Sequence, residues 1–468
     1  MDIQELTLAQ ASAAVKKKEL SPVDLVQACL SRIDAVNSKT NAYISVYADE
    51  ALKVAKASEA LMMAGHDMGV LHGVPISLKD NISLKGKRTT AGSKVLSDWH
   101  PQEDASVSQR LRGAGAIFIG KCNLHEFAWG GTSNNPHYGS VRNPWNTDTF
   151  PAGSSGGSGV AVAARTCYGS IGTDTGGSVR LPSSVNGIVG IRPTYGRVSN
   201  HGIIPLAWSM DTAGPMTRTV EDCAMMFNVM AGHDHNDPAS ALQPVVDYTR
   251  DLNMDLKGVR IGVVPGYSFK HLQPAVERSM REAVKTLESL GAVIIEVPIA
   301  NIEGNMSAVL TVESVEPSTY HQKWLREQPD NYGEDVRTLL EAGELLMATH
   351  YVQAQRYRAM LRDEFLEAFK RVDVFLWPTL PFTATKVGAT TVVIENGQEE
   401  DMLSAIMQFT GVPSLTGLPA LNVPCGFDDA GLPVGMQLVG RPFDEATLFR
   451  IGSQFERQTE FYKKAPNL

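Results

Sequence analysis

The feature that most restricts this chain is a pair of glycine-serine segments close together in its middle, AGSSGGSGV at 152–160 and GTDTGGSVRLP at 172–182. Glycine reaches backbone conformations closed to other residues and lets a ligand or another backbone come close. It also weakens any helix or strand it interrupts, so both segments predict tight loops between regular elements. An Ala/Val helix at about 156–165 and a strand at 168–172 fit between and around them. One such loop by itself reads as an ordinary turn. Two of them, together with a lysine at the end of an apolar strand, point to a site.

The flanking sequence alternates between strand and helix patterns. Residues 21–36 predict a helix with Ser21 as cap, Pro22 in its first turn and Leu25, Cys29 and Ile33 on the buried stripe. Residues 41–46 read as a strand, 49–64 as an Ala-rich helix, and 75–78 as a buried strand that carries Lys79 at its end. A helix at 105–113 and a strand at 116–120 follow. Strands are expected at 258–264, 292–297, 373–377 and 419–424, with amphipathic helices at 273–289 and 350–371. This order predicts an α/β fold with a sheet covered on both faces. The polar, turn-rich stretch 233–257 does not divide it, so residues 1–468 are expected to form a single domain.

Hydrophobic residues make up 43% and charged residues 20% of the 468, enough apolar material for a large core and against a disordered chain. The formal net charge of -9 offers no general attraction for nucleic acid or an anionic membrane. No signal peptide and no apolar run of transmembrane length is seen, and five scattered cysteines form neither a CxxC metal pattern nor a disulfide framework. A cytoplasmic protein with buried free thiols is the expectation.

Two motifs come close to familiar chemistry and fail. Residues 115–121, GAIFIGK, match phosphate-loop spacing, but their middle is apolar and strand-like and Cys122 stands where a Mg²⁺-binding hydroxyl belongs. The GSSGG run at 153–157 fits a nucleophile elbow, but a loop rather than a strand precedes it, and no late histidine has a suitable context. HDH at 233–235 reads as a solvated turn, and no metal-ligand cluster is expected.

An amide is a poor electrophile, so a serine that attacks it needs a base and a place for the developing oxyanion. Thr175-Gly176-Gly177-Ser178 can turn successive N–H groups into one concavity. A lysine can act as the base if burial keeps it neutral. Tuning it from about 10.4 to about 7–8 costs on the order of 4 kcal/mol. Lys79, in an apolar strand, is placed for this; taken by itself, the residue reads rather as one half of a salt bridge to Asp80 or another acid.

At these residues the sequence resembles the amidase signature family. The match runs from PISLKDN through TFPAGSSGGSGVAVAA and GTDTGGSVRLPSS to GLPALNVPCGF at 417–427, with looser similarity over nearly the whole chain. The resemblance implies an α/β/α sandwich around a large mixed β-sheet. It implies Ser178 as the acyl-enzyme nucleophile, Ser154 as the bridging serine after a cis peptide, and Lys79 as the base. It places the oxyanion hole at the N–H groups of Thr175, Gly176, Gly177 and Ser178, with Ser155 and Asp174 supporting the relay. It puts Ala128 and Trp129 on the substrate-facing loop, with core packing an equal reading for Trp129, and requires no metal or organic cofactor. Ala152 departs from the family, which often has glycine there.

Two functions fit. One is a free-standing amidase acting on a small, neutral alkyl or aryl amide, with no nucleic-acid or membrane partner and with homodimerisation allowed. The other is the glutamine-hydrolysing A subunit of a tRNA-dependent amidotransferase. A glutamine site should pair both the α-carboxylate and the α-ammonium. Arg358 resembles the arginine those subunits use for the carboxylate, with an ordinary helix-surface arginine as the alternative. The acid they carry before their GLP segment is missing from AIMQFTGVPSLTGLP at 405–419, which favours the free-standing amidase.

Overall fold

Local signals set the first long helix. Ser21 Oγ accepts the Val23 N–H, Pro22 opens the helix Pro22–Thr40, and Asn41 ends it in a left-handed conformation (φ 52°). The computed structural model describes residues 3–468. Thirteen strands follow in chain order: β1 (Tyr43–Val46), β2 (Pro75–Lys79), β3 (Ile117–Cys122), β4 (Gly169–Asp174), β5 (Val189–Arg192), β6 (Thr212–Thr217), β7 (Arg260–Val263), β8 (Val293–Glu296), β9 (Val374–Pro378), β10 (Thr391–Val393), β11 (Glu399–Asp401), β12 (Ala420–Phe427) and β13 (Pro433–Gly440). Eleven of them make one sheet in the order β1-β3-β2-β4-β6-β5-β12-β13-β9-β7-β8; β10 and β11 pair separately.

The sheet is mixed. β2 runs parallel to β3 and β4, and β7 to β8 and β9, while β4–β6, β5–β12 and β12–β13 are antiparallel. Side chains alternate faces along a strand. In β13 a Cβ on Gly435 would strike Ser184 of helix Arg180–Val185, and one on Gly440 would meet Leu448 of helix Glu445–Thr459. Positions 435 and 440 have opposite parity, so these two helices cover opposite faces. The expected α/β/α layering is present.

The elements expected from sequence are found within a few residues at each end. β5, β6 and β13 go unread in sequence: β6 (TAGPMT) carries Gly and Pro, and every residue of all three is buried, which erases the in-out alternation. Also unread is the 23-residue helix Asn305–Glu327, which has Pro317 inside it and both polar and apolar residues among its buried positions. Most of the near-miss phosphate loop is strand β3, with a bulge in its pairing to β2 between Phe118 and Gly120.

The parallel strands β2 and β4 end together, at Lys79 and Asp174. Loops at the carboxyl ends of parallel strands are where open α/β sheets place their sites.

Candidate active site

β2 delivers Lys79 to the sheet's carboxyl edge, where it is completely buried. Its Nζ lies 2.7 Å from Ser154 Oγ, 2.8 Å from Thr173 Oγ1 and 3.4 Å from the Thr173 carbonyl. The competing salt bridge to Asp80 is not formed, because Asp80 pairs with Lys121 instead. Burial pushes the Lys79 ammonium down to about 7, against the pull of Asp174 and Asp211. At neutral pH a large fraction of this amine carries no charge.

Ser154 follows a cis peptide bond from Gly153 and sits just ahead of helix Gly156–Ala163. Ser155 occupies the N-cap position of that helix, but its side chain makes no capping bond; its Oγ donates to the Thr173 carbonyl at 3.1 Å and accepts the Thr173 N–H at 3.3 Å. Its own N–H donates to the Ser178 carbonyl at 3.2 Å. Thr173, which sequence reasoning missed, therefore ties the lysine to the first serine loop.

Ser178 closes the second loop. The Gly176 carbonyl accepts from Thr410 Oγ1 at 2.6 Å, and the Gly177 carbonyl accepts from the Leu181 N–H at 2.7 Å. The amides of Gly176, Gly177 and Ser178 find no protein acceptor among the described residues. With the carbonyls engaged, the N–H groups remain for an anionic oxygen. Both glycines are required. Gly177 has φ 141°, and a Cβ there would lie 2.5 Å from Thr410 Oγ1; a Cβ on Gly176 would lie 2.6 Å from both Glu313 Oε1 and Met407 Sδ.

Asp174 anchors this loop from below. Its carboxylate accepts from Arg180 Nε and Nη2, from Arg192 Nη1 and from the Val179 N–H, all at 2.9–3.1 Å. Burial alone would raise its pKa; the charge and hydrogen bonds of Arg180, then the charge of Arg192, hold it well below the usual carboxylate range. Thr175 Oγ1 donates to Asp211, whose carboxyl burial pushes up to about 6.

Ser178 and Gly176 line a cavity with Ala128, Trp129, Glu313 and Met407. Phe127 and Ala128 both take left-handed backbone (φ 49° and 60°), a strained turn that brings Trp129 to the cavity wall. Trp129 is also packed in a cluster with Phe127, Leu325 and Tyr332, so the same ring serves the core and the cavity wall. Arg358 does not line this cavity; its guanidinium donates to the Ser209 carbonyl at 2.8 Å and to Ser209 Oγ at 3.2 Å. A larger surface cavity beside Tyr195, His201 and Trp208 contains none of the sequence-predicted site residues.

Among the described residues, no group of three or more His, Cys, Asp or Glu is placed to hold a metal ion. No described helix is long and apolar enough to cross a membrane.

Known proteins with this arrangement correct part of the sequence reading. The chain is 37% identical, over the full length of both, to the A subunit of glutamyl-tRNA(Gln) amidotransferase from Carboxydothermus hydrogenoformans. The solved structure of the corresponding A subunit from Thermotoga maritima superposes with a TM-score of 0.82 at 32% identity, covering 98% of this chain and 95% of its own. A structure described as a vestigial protein complex that reveals the origins of an s-triazine catabolic enzyme gives 0.93 at 30% identity, covering 97% and 99%.

Full-length similarity to proteins named as subunits of a tRNA-directed enzyme overturns the expectation of a free-standing amidase for a neutral alkyl or aryl amide. It also overturns the expectation that partners stop at a small-molecule amide, with no nucleic acid. Both expectations have a physical reason for failing. The missing acid in 405–419 counts against glutamine only while the cavity is built from that stretch, and Glu313 enters the same cavity from a distant helix. A net charge of -9 averages the whole surface and says nothing of nucleic acid held by other subunits of an assembly. What stands is chemistry on C–N amide bonds: the family model Amidase matches residues 24–449, and this chain belongs to that amidase family.

Proposed function

We propose that the chain is the glutamine-hydrolysing A subunit of a tRNA-dependent amidotransferase, working in the cytoplasm as one amidase domain over residues 1–468. The observation that carries this reading is the 37% identity to such a subunit over both full lengths. A single sheet that draws strands from Tyr43 to Gly440 supports the one-domain reading.

Ser178 is the nucleophile, Ser154 the bridge and Lys79 the base. Neutral Lys79 takes the Ser154 proton, and Ser154 takes the Ser178 proton as Ser178 Oγ bonds to the carboxamide carbon of glutamine. The amides of Thr175, Gly176, Gly177 and Ser178 hold the oxyanion. The proton returns through Ser154 to the leaving nitrogen, which departs as ammonia, and a γ-glutamyl ester remains on Ser178. Water then adds to the ester and releases glutamate. Ser155, Asp174 and Thr173 keep the two loops in register, and Ala128 and Trp129 form the substrate wall. The 2.7 Å contact between Lys79 and Ser154 supports the first leg of this relay.

The test is to isolate the tagged chain from its host with the subunits that co-purify, and to measure ammonia released from glutamine with and without glutamyl-tRNA(Gln). Release of ammonia from glutamine, coupled to amidation of the glutamyl-tRNA, is the expected result. Cleavage confined to unrelated alkyl or aryl amides overturns the reading.

A further inference from the structure

Glu313 is the one acidic side chain among the residues lining the Ser178 cavity. It sits near the middle of helix Asn305–Glu327 and is 2% exposed. It forms no hydrogen bond or ion pair with any described residue, unlike Glu316 one turn later, which accepts from Ser209 N–H and Tyr351 OH. Its Oε1 lies where a Cβ on Gly176 would collide with it, so the carboxyl rests directly against the oxyanion loop. Burying a carboxyl without a partner is costly, and such groups are retained where a ligand completes them.

We propose that Glu313 selects the substrate by its charge, pairing with the α-ammonium of glutamine while the carboxamide lies at Ser178. This deepens the glutamine reading and rests on it. The acid absent from 405–419 is replaced in space: Met407 and Ile406 of that stretch give the cavity apolar lining, and the distant helix supplies the carboxylate beside Met407.

The surroundings suit the ammonium end of the guest; its α-carboxylate must be answered by a group beyond the described cavity lining, which holds no Lys or Arg. Burial, then the charges of Asp211 and Asp174, raise Glu313 to about 8, with Glu316 adding to them and Arg192 opposing. Arg192 is already engaged with Asp174 and with the Thr175, Met210 and Ser414 carbonyls. An arriving ammonium therefore meets a protonated carboxyl in a field of acids. Pairing expels that proton to solvent and leaves a carboxylate-ammonium pair. The KM for glutamine should accordingly fall as pH rises towards about 8, while an amide with no ammonium should not show that dependence.

The probe is glutaramate, which is glutamine without its α-amino group, assayed beside glutamine on the chain with its co-purifying subunits. The wild type is expected to prefer glutamine in kcat/KM. In Glu313→Gln that preference should shrink by roughly 30-fold or more, chiefly through KM, and Glu313→Asp should restore part of it. A wild type that prefers glutaramate, or a Glu313→Gln protein with the wild-type preference, overturns the assignment while leaving the glutamine reading intact. The wild-type comparison stands even if the variant does not fold, and labelling of Ser178 by a fluorophosphonate reports whether it has. Hydrolysis of neither acid by a preparation whose Ser178 is labelled overturns the glutamine reading, and with it the role of Glu313.

Discussion

Lys121 Nζ lies 2.9 Å from Asp80 Oδ1, with both side chains buried. The pair takes Asp80 away from its chain neighbour. Asp80 Oδ2 accepts the Thr90 N–H and hydroxyl, and Lys121 Nζ donates further to Thr89 Oγ1 at 3.1 Å, so both charges are satisfied without Lys79. One lysine thereby stays paired, and the other is left among hydroxyls and a carbonyl. The β2–β3 register sets Leu78 opposite Lys121 and Lys79 opposite Cys122, so the two lysines sit one position apart on paired strands and point to opposite faces.

Breaking this pair should cost stability more than chemistry. Asp80→Asn leaves a buried ammonium without its counter-charge, a change worth about 3–5 kcal/mol. Thermal denaturation should show a clear drop in Tm, and Asp80→Asn/Lys121→Met should recover part of it. The charges acting on Lys79 are those of Asp174 and Asp211, so the pH dependence of the surviving activity should stay near that of the wild type. An unchanged Tm for Asp80→Asn would show that the pair carries no stability.

Lys79 must be neutral to accept a proton. Its pKa is lowered by burial to about 7, so the active fraction is small below that pH and nearly complete above it. kcat/KM for an uncharged amide should rise with pH through about 7 and level off well below the usual lysine value. Lys79→Ala should lose two to four orders of magnitude, roughly the worth of a positioned base, with near-native circular dichroism. Near-native activity in that variant would falsify the relay.

Sequence made the positions of the proposed relay legible because glycine and serine in loops leave a pattern that packing does not disguise. Lys79 and its apolar strand were equally clear. The cavity was not. Glu313 sits in a helix interrupted by Pro317, where its neighbour Glu316 is also buried, and nothing in the sequence distinguishes a cavity acid from one that fastens Ser209. Arg180 and Arg192 are both fully buried on Asp174, and nothing in the local sequence marks them as its partners. β5, β6 and β13 lost their alternation to burial on both faces. What escaped is set by contacts between residues hundreds of positions apart, such as Thr410 with Gly176.

Ser178, not a thiol, should be the group that reacts covalently. All five cysteines are buried, and burial pushes their thiols upward, Cys167 to about 11 and Cys122 to about 12. Thiolate, the reactive form, is therefore scarce at neutral pH. A fluorophosphonate should add to Ser178, as peptide mass mapping will locate, and Ser178→Ala should abolish the adduct. Modification at Ser155 or at any cysteine would remove Ser178 from its role.

The oxyanion loop tolerates no side chain at Gly177. Its φ of 141° is a conformation that L-residues rarely take, and a Cβ would lie 2.5 Å from Thr410 Oγ1 and 2.9 Å from Leu181 Cγ. Thr410 cannot retreat freely, because the same hydroxyl donates to the Gly176 carbonyl. Gly177→Ala must therefore rotate the loop, displace Thr410, or both, and either movement turns the amides of Gly176, Gly177 and Ser178 away from the oxyanion. Losing one such donor costs about 10²–10³ in kcat. The proposed oxyanion amides act on charge that develops in the transition state, so KM should change far less than kcat. Fluorophosphonate labelling should slow in parallel with turnover, since its phosphoryl oxygen uses the same amides. A Gly177→Ala enzyme with kcat within twofold of wild type would mean that the oxyanion is held somewhere other than this loop.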